Sequence, residues 1–261
     1  MNPHLTPYLI VGNGRLANHF KNYFTLLNIP FLAWTRNSAQ TNEYREKHIE
    51  DDFYLKAHMC ERILVLISDS AILPFIKSRL NSHADLRNKI WIHCSGSISL
   101  TDAECAHPLS TFGTNPYSLD SYQKIPFVLE ENRAPFLTLF PHLKNPHFFI
   151  SCEKKSLYHA LCVMSGNFTT MLWQNTFTAF EEKLDLPKEI LFSYLQHTTQ
   201  NLIESPKQAL TGPISRGDTK TILSNLESLQ NTPEQSLYYA FLNFVLAKNK
   251  SGEQIHEYPR L

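Results

Sequence analysis

The residues best suited to chemistry lie near the start, where Gly12-Asn13-Gly14-Arg15-Leu16-Ala17 directly follows the apolar run Tyr8-Leu9-Ile10-Val11. Two glycines spaced by one residue, with a small residue three further on, let a first parallel strand turn into a first helix around a dinucleotide pyrophosphate. Gly12 permits the tight turn, Gly14 lets the backbone approach the phosphates, and Ala17 keeps helix and strand close. Unpaired N–H groups at the helix start would then face the ligand's negative charge. An ordinary strand-to-helix turn uses similar residues. The apolar run before and the amphipathic segment after favour the nucleotide.

The second strand-like run, Phe31-Leu32-Ala33-Trp34, ends in Thr35-Arg36-Asn37. A site for NAD commonly places Asp or Glu there, about 20 residues past the glycines, on the ribose hydroxyls. No acid occurs between Gly12 and Glu43. Arg36 stands where a guanidinium can pair with a 2′-phosphate, beside Thr35, so NADP is expected, with NAD possible. The alternative is a surface arginine closing a strand. Loops at the C-terminal ends of parallel strands line the ligand crevice. Ser68 and Asp69 follow the run Arg62 to Ile67, and Ser95 follows Lys89 to His93, so all three are candidates for the cofactor edge. Asp69 equally suits a helix N-cap.

Hydride transfer takes its reactive atom from the cofactor, so the protein must supply orientation and a proton. His93 and His107, both beside expected crevice loops, are the candidate donors. Each also reads as a packed or turn histidine. His93, Cys94, Cys105 and His107 match no common zinc spacing, and no Gly-x-Ser-x-Gly elbow is present. No metal is expected.

Those residues must be positioned by a larger frame. Apolar strand runs alternate with helical segments through Ile150, which predicts an α/β fold with a doubly wound parallel Rossmann sheet. Ala106 to Phe112 reads as a crevice loop, and residues 38–60 as a short helix and loop. From Ser156 the character changes: Leu157, Leu161, Met164, Phe168 and Leu172 fall at steps of three and four. Further helices are expected over 189–203, from an Asp218 cap to Leu229, and from Thr232-Pro233-Glu234-Gln235 to Lys248. The expected domains are 1–152, binding the dinucleotide, and 153–261, all-helical and serving substrate and dimerisation. The tail 251–261 reads as loose.

Bulk properties exclude several classes. Lys+Arg and Asp+Glu both number 24, so no global field attracts nucleic acid or an anionic membrane. Five cysteines, none in a Cys-x-x-Cys pair, read as reduced thiols in a cytoplasmic protein. The start of the chain lacks the basic and apolar regions of a signal peptide.

A Rossmann domain followed by helices resembles the superfamily of pyrroline-5-carboxylate reductases, ketopantoate reductases and 6-phosphogluconate dehydrogenases. More closely, Gly12 to Ala17, His93-Cys94-Ser95-Gly96-Ser97, His107-Pro108-Leu109-Ser110-Thr111-Phe112 and Leu210 to Asp218 together resemble one bacterial family. Its members are Rossmann-like proteins with a C-terminal helical domain of unknown function. The resemblance implies an NADP-linked oxidoreductase acting on a small molecule. Ser215-Arg216-Gly217-Asp218-Thr219-Lys220-Thr221 resembles the turn that holds the substrate carboxylate in pyrroline-5-carboxylate reductases. This implies substrate roles for Arg216, Asp218 and Thr219, although an acid at 218 departs from the pattern. Asn167 resembles a substrate-contacting helix asparagine of related dehydrogenases. The lysine that precedes it by one turn in the 3-hydroxyacid branch is Val163 here, so that mechanism does not carry over. Helical domains of the superfamily commonly dimerise, and the stripe at Leu237, Tyr238, Phe241, Phe244 and Val245 reads as interface or core. The implied substrate class is a carboxylate-bearing ketone, alcohol or imine. The competing reading is a dinucleotide-binding sensor or partner-binding protein without turnover.

Overall fold

The computed structural model describes residues 6–36 and 43–250; Asn37 and the tail 251–261 lie outside them. Seven strands form one sheet: β1 (Tyr8–Val11), β2 (Phe31–Trp34), β3 (Arg62–Val65), β4 (Ile90–His93), β5 (Glu104–Pro108), β6 (Phe127–Glu130) and β7 (His147–Ile150). Their order is β2-β1-β3-β4-β5-β6-β7. All neighbours are parallel except β5 and β6. The expectation of a doubly wound parallel sheet therefore holds for all but that pair. After β5 the chain makes an excursion through α4 (Leu119–Lys124) and returns beside the strand it left. The Leu109 N–H donates to the Pro126 carbonyl at 2.8 Å, closing the excursion where β6 begins its antiparallel run beside β5.

The period of two along the strands sets the two covered faces. Tyr8 and Ile10 point into one cluster with Phe20, Tyr23 and Phe24 of α1 (Arg15–Leu26), joined by Leu64, Ile92, Phe127 and Phe140. Leu9 and Val11 point into the other, with Ile63, Val65 and Trp91, covered by α2 (Glu43–His58) and α3 (Asp69–Ser82). α2 is one long helix rather than a short helix and loop. Phe53 and Ala57, both fully buried, seat its C-terminal half against the sheet.

The residues expected as a crevice loop at Ala106 begin instead inside β5, so His107 sits on a strand end. Beyond β6, α5 (Phe136–Leu139) leads to β7. A continuous helical run follows: α6 (Lys155–Cys162), a π-helical turn at Val163–Phe168, and α7 (Thr169–Leu184).

The chain divides into two compact units, Met1–Leu172 and Trp173–Leu261. The onset of helical spacing in the sequence puts the domain boundary at 152/153. By packing α6 goes with the sheet, because Lys155 bonds to β6. The second unit is all-helical, with α8 (Phe192–Glu204), α9 (Pro213–Arg216), α10 (Thr219–Ser228) and α11 (Pro233–Lys250). Asp218 caps α10 by accepting from the Thr221 N–H, as its sequence position predicts. The five cysteines are free thiols. Among the described residues no helix is long and apolar enough to cross a membrane.

Candidate nucleotide cleft and the histidine cluster beside it

β2 and β3 flank β1, so the chain's connections diverge at the C-terminal end of β1. Such a divergence opens a crevice in an α/β sheet. Gly12 occupies that point with φ +124°, and a Cβ there would lie 2.2 Å from the Leu66 carbonyl oxygen. Only glycine fits, because the conformation and the neighbouring backbone both exclude a side chain. Gly14 is different. It is the N-cap of α1 with extended backbone, and a Cβ on it would meet nothing within 4 Å. The first turn of α1 has no acidic residue and no side-chain cap, so the positive end of the helix dipole is left for a ligand. Ala17 is fully buried beneath the loop.

A cleft of about 750 Å³ opens here, lined by Gly12, Asn13, Gly14, Arg15 and Leu16, by Thr35 and Arg36 after β2, and by Ser68 after β3. Arg79 of α3 also lines it and was not legible in the sequence. Its guanidinium lies 4.9–5.6 Å from the ring centres of Phe53, Phe75 and Trp34. Cation–π attraction holds the charge there, and only the packing of α2 and α3 assembles those rings. No local spacing signals it.

Asp69 and Ser95 come together, though not as cleft-lining groups. The Asp69 Oδ2 accepts from the Ser95 Oγ at 2.6 Å and the Ser97 Oγ at 3.1 Å. The carboxylate thus ties the start of α3 to the loop after β4, and Ser95 is buried with its hydroxyl committed to that tie.

Beside this tie lies a cluster of histidines. His93 is fully buried, accepts from the Ser95 N–H through Nδ1, and reaches no solvent. Burial, reinforced by the nearby Lys155 charge, pushes it down to about 4, so the ring is neutral. His107 is half-buried, and its Nδ1 lies 2.6 Å from the Tyr158 hydroxyl. Burial first, then the positive potential of His159 and Lys155, pushes it also to about 4. Gly96 faces both imidazoles: a Cβ there would lie 2.7 Å from His159 Cδ2 and 3.1 Å from His107 Nε2.

Beneath the cluster runs a buried ion pair. The Lys155 Nζ donates to Glu130 Oε1 at 2.6 Å, to Cys105 Sγ at 3.1 Å and to the Ile98 carbonyl. Ser99 donates to the other Glu130 oxygen at 2.7 Å. Burial alone would raise the Glu130 carboxyl, yet the bonds from Lys155 and Ser99 hold it below the ordinary range. This pair anchors α6, which carries Tyr158 and His159. Tyr158, His159 and Lys155 belong to no motif in the sequence. A lysine opening an amphipathic helix reads as solvated until its partner on β6 is known.

Asn167 is exposed in the π-helical turn. Such turns are frequent at functional sites. This one lies against the loop after β5, where a Cβ on Gly166 would be 3.8 Å from Thr111 Cγ2.

In the second unit, Arg216 ends α9 with an exposed guanidinium, and Gly217 turns the chain at φ +65°. Asp218 accepts from the Thr221 N–H at 3.1 Å and the Thr221 hydroxyl at 2.7 Å. Those bonds hold its carboxyl below the usual range. The start of α10 is thus capped by the chain's own Asp218 carboxylate. The Thr219 hydroxyl leans on the Gly217 carbonyl at 3.4 Å.

The Bacteroides fragilis protein BF3122, a candidate NADP oxidoreductase, superposes with TM-score 0.70 at 20% identity, over 91% of this chain and 96% of its own. The Aspergillus terreus reductive aminase, solved with NADPH and ethyl-5-oxohexanoate, superposes with TM-score 0.60 at 12% identity, over 97% and 96%. The Plasmodium falciparum pyrroline carboxylate reductase, solved with NADP, does so with TM-score 0.53 at 13% identity, over 97% and 98%. No curated protein matches the sequence. Residues 127–243 match the model of a domain of unknown function, DUF2520. That match begins at β6, and the sheet as a whole has the Rossmann-type fold of these structures.

Proposed function

We propose that this protein is an NADP-dependent oxidoreductase transferring a hydride between the nicotinamide and a small ketone, alcohol or imine that bears a carboxylate. The observation that carries the reading is the cleft over Gly12 and Gly14, where open backbone and an uncompensated helix start meet Arg15 and Arg36. The loop fits a pyrophosphate, because the space a Cβ would occupy at Gly14 is empty. Gly12 to Leu16 and Ser68 would hold the dinucleotide above Ala17, with Thr35 and Arg36 on the 2′-phosphate. Bound there, the cofactor would give a hydride as NADPH to a ketone or imine, or take one as NADP+ from an alcohol. Similar structures solved with NADPH, NADP and, in an imine reductase, NAD+ support the class of cofactor.

His107 is the group assigned to the reacting oxygen or nitrogen. His93, closed off from solvent, supports the Ser95 loop, and Asn167 is the candidate substrate contact. Arg216 at the end of α9 is suited to a carboxylate as a forked donor, with Thr219 opening α10 and Asp218 capping that helix. Titrating NADPH and NADH by fluorescence tests the reading. NADPH binds more tightly, and Arg36→Ala weakens NADPH by roughly tenfold, one charge-assisted contact, while leaving NADH unchanged. Failure to bind either nucleotide overturns the reading, and the sensor alternative falls once a carbonyl or imine substrate is turned over.

The protein is proposed to act in the cytoplasm as a homodimer. The core of the helical unit centres on Ile222, Leu226 and Leu242, with Ile214 and Tyr238 packed against them. Leu202, Ile203, Leu237, Phe241 and Phe244 stay exposed, as does the stripe Leu157, Leu161, Met164 and Phe168 on the first unit. So much exposed apolar surface marks an interface, and a second copy supplies matching surface. Light scattering is expected to give twice the 30.1 kDa chain mass; a monomer at micromolar concentration rejects the dimer.

A further inference from the structure

We propose that Tyr158 is a positioning residue for His107: its hydroxyl donates to Nδ1, so that the ring carries its hydrogen on Nε2, aimed over Gly96 as a donor to the hydride acceptor. The last clause rests on the oxidoreductase reading; the tautomer does not.

Three observations converge. The Tyr158 oxygen lies 2.6 Å from His107 Nδ1, a short and well-formed bond. A neutral imidazole carries one hydrogen, so the partner of one nitrogen decides the state of the other. The second observation is Gly96, the residue facing Nε2. Any side chain there would press within 3.1 Å of Nε2 and 2.7 Å of the His159 ring, so glycine is what lets the loop after β4 lie against Nε2 without a side chain between them. The third is the support behind α6, where Lys155 is bonded to β6 and the loop after β4 and fixes the helix that presents Tyr158.

The direction of the bond follows from donor and acceptor strength. The hydroxyl's other neighbour is the Cys162 thiol, one turn further along α6. An imidazole nitrogen is a far better acceptor than a thiol sulfur, and a thiol can give its own weak hydrogen to the tyrosine oxygen. The phenol hydrogen therefore goes to Nδ1. Burial raises the phenol, keeping it protonated, and lowers His107, keeping it neutral, so both groups hold the states this requires. A neutral imidazole N–H polarises a carbonyl without first having to shed a charge. Tyr158 itself touches no substrate.

Histidine-labelled protein with long-range nitrogen–proton correlation tests this without any nucleotide, the His107 signals being assigned by His107→Gln. The wild type is expected to show hydrogen on Nε2. Tyr158→Phe is expected to give a mixture of tautomers while NADPH affinity stays within about twofold, since the cleft residues are untouched. With a substrate in hand, Tyr158→Phe lowers kcat by roughly 10- to 100-fold with KM nearly unchanged, part of the usual worth of a positioned acid–base group. Hydrogen on Nδ1 in the wild type, or an unaltered tautomer in Tyr158→Phe, overturns the proposal. Failure of NADPH to bind, with the Nε2 tautomer intact, overturns the cofactor reading instead.

Discussion

Gly12→Ala is expected to lose nucleotide binding and to be much less stable, whereas Gly14→Ala, two residues on, loses binding alone. At Gly12 the new methyl would sit 2.2 Å from the Leu66 carbonyl oxygen, on a residue with φ +124°. Both the backbone strain and the overlap then act, and together they cost about 3 kcal/mol or more. Leu66 itself is tied to β1, its N–H donating to the Val11 carbonyl at 2.8 Å, so neither strand can move away cheaply. Gly14 has φ −74° and open space around its missing Cβ, so alanine there changes the unfolding free energy by no more than about 0.5 kcal/mol. Yet that methyl occupies the space through which a phosphate must reach the helix start. NADPH affinity should fall at least tenfold, as expected when a close backbone approach is blocked. Urea unfolding and NADPH titration on the two variants separate the effects. A Gly14→Ala protein that binds NADPH as well as the wild type would show that no phosphate approaches there.

Lys155→Met is expected to be the most damaging side-chain change away from the cleft, costing about 3–5 kcal/mol, the usual result of stranding one member of a buried ion pair. Both partners are almost wholly enclosed, with side chains 4% and 6% exposed. Without Lys155 the Glu130 carboxylate keeps only the Ser99 bond. Replacing both residues, as Lys155→Met with Glu130→Met, should restore most of the loss, because an apolar pair of similar volume needs no desolvation of charge. Urea unfolding of both single variants and the double variant measures the coupling. A single variant within about 1 kcal/mol of wild type would show that the pair does not anchor α6. The pH dependence has a definite sign. The folded-state carboxyl lies below its ordinary value, so its contribution is present above the unfolded pKa and is lost as pH falls through the folded one.

Much of the fold is legible in the sequence because it rests on local rules. Tyr8 to Val11, Arg62 to Val65 and Ile90 to His93 are short apolar runs bounded by polar turns, and they become central strands covered on both faces. Asp218 and Thr232-Pro233 announce helix starts through their own capping chemistry. β5 was not legible because Pro108 and the mixed Glu104-Cys105 imitate a loop; its pairing with β4 and β6 makes it a strand. The antiparallel turn of β6 was not legible either, since direction depends on where the excursion 109–126 returns.

The site divides the same way. The glycine loop, Arg36 and Ser68 are readable from position alone, because phosphate recognition at a strand-to-helix turn is a local backbone property. The sequence by itself thus determined the glycine turn, the arginine after β2 and the serine after β3 that line the cleft. Only the tertiary structure decided which histidine is enclosed and which faces Gly96, that Asp69 binds serines, and that Tyr158 and His159 of α6 stand beside His107 while Lys155 pairs with Glu130. The reason is separation along the chain. Glu130 and Lys155, or His107 and Tyr158, meet only when β5, β6 and α6 pack, and no spacing rule spans such distances.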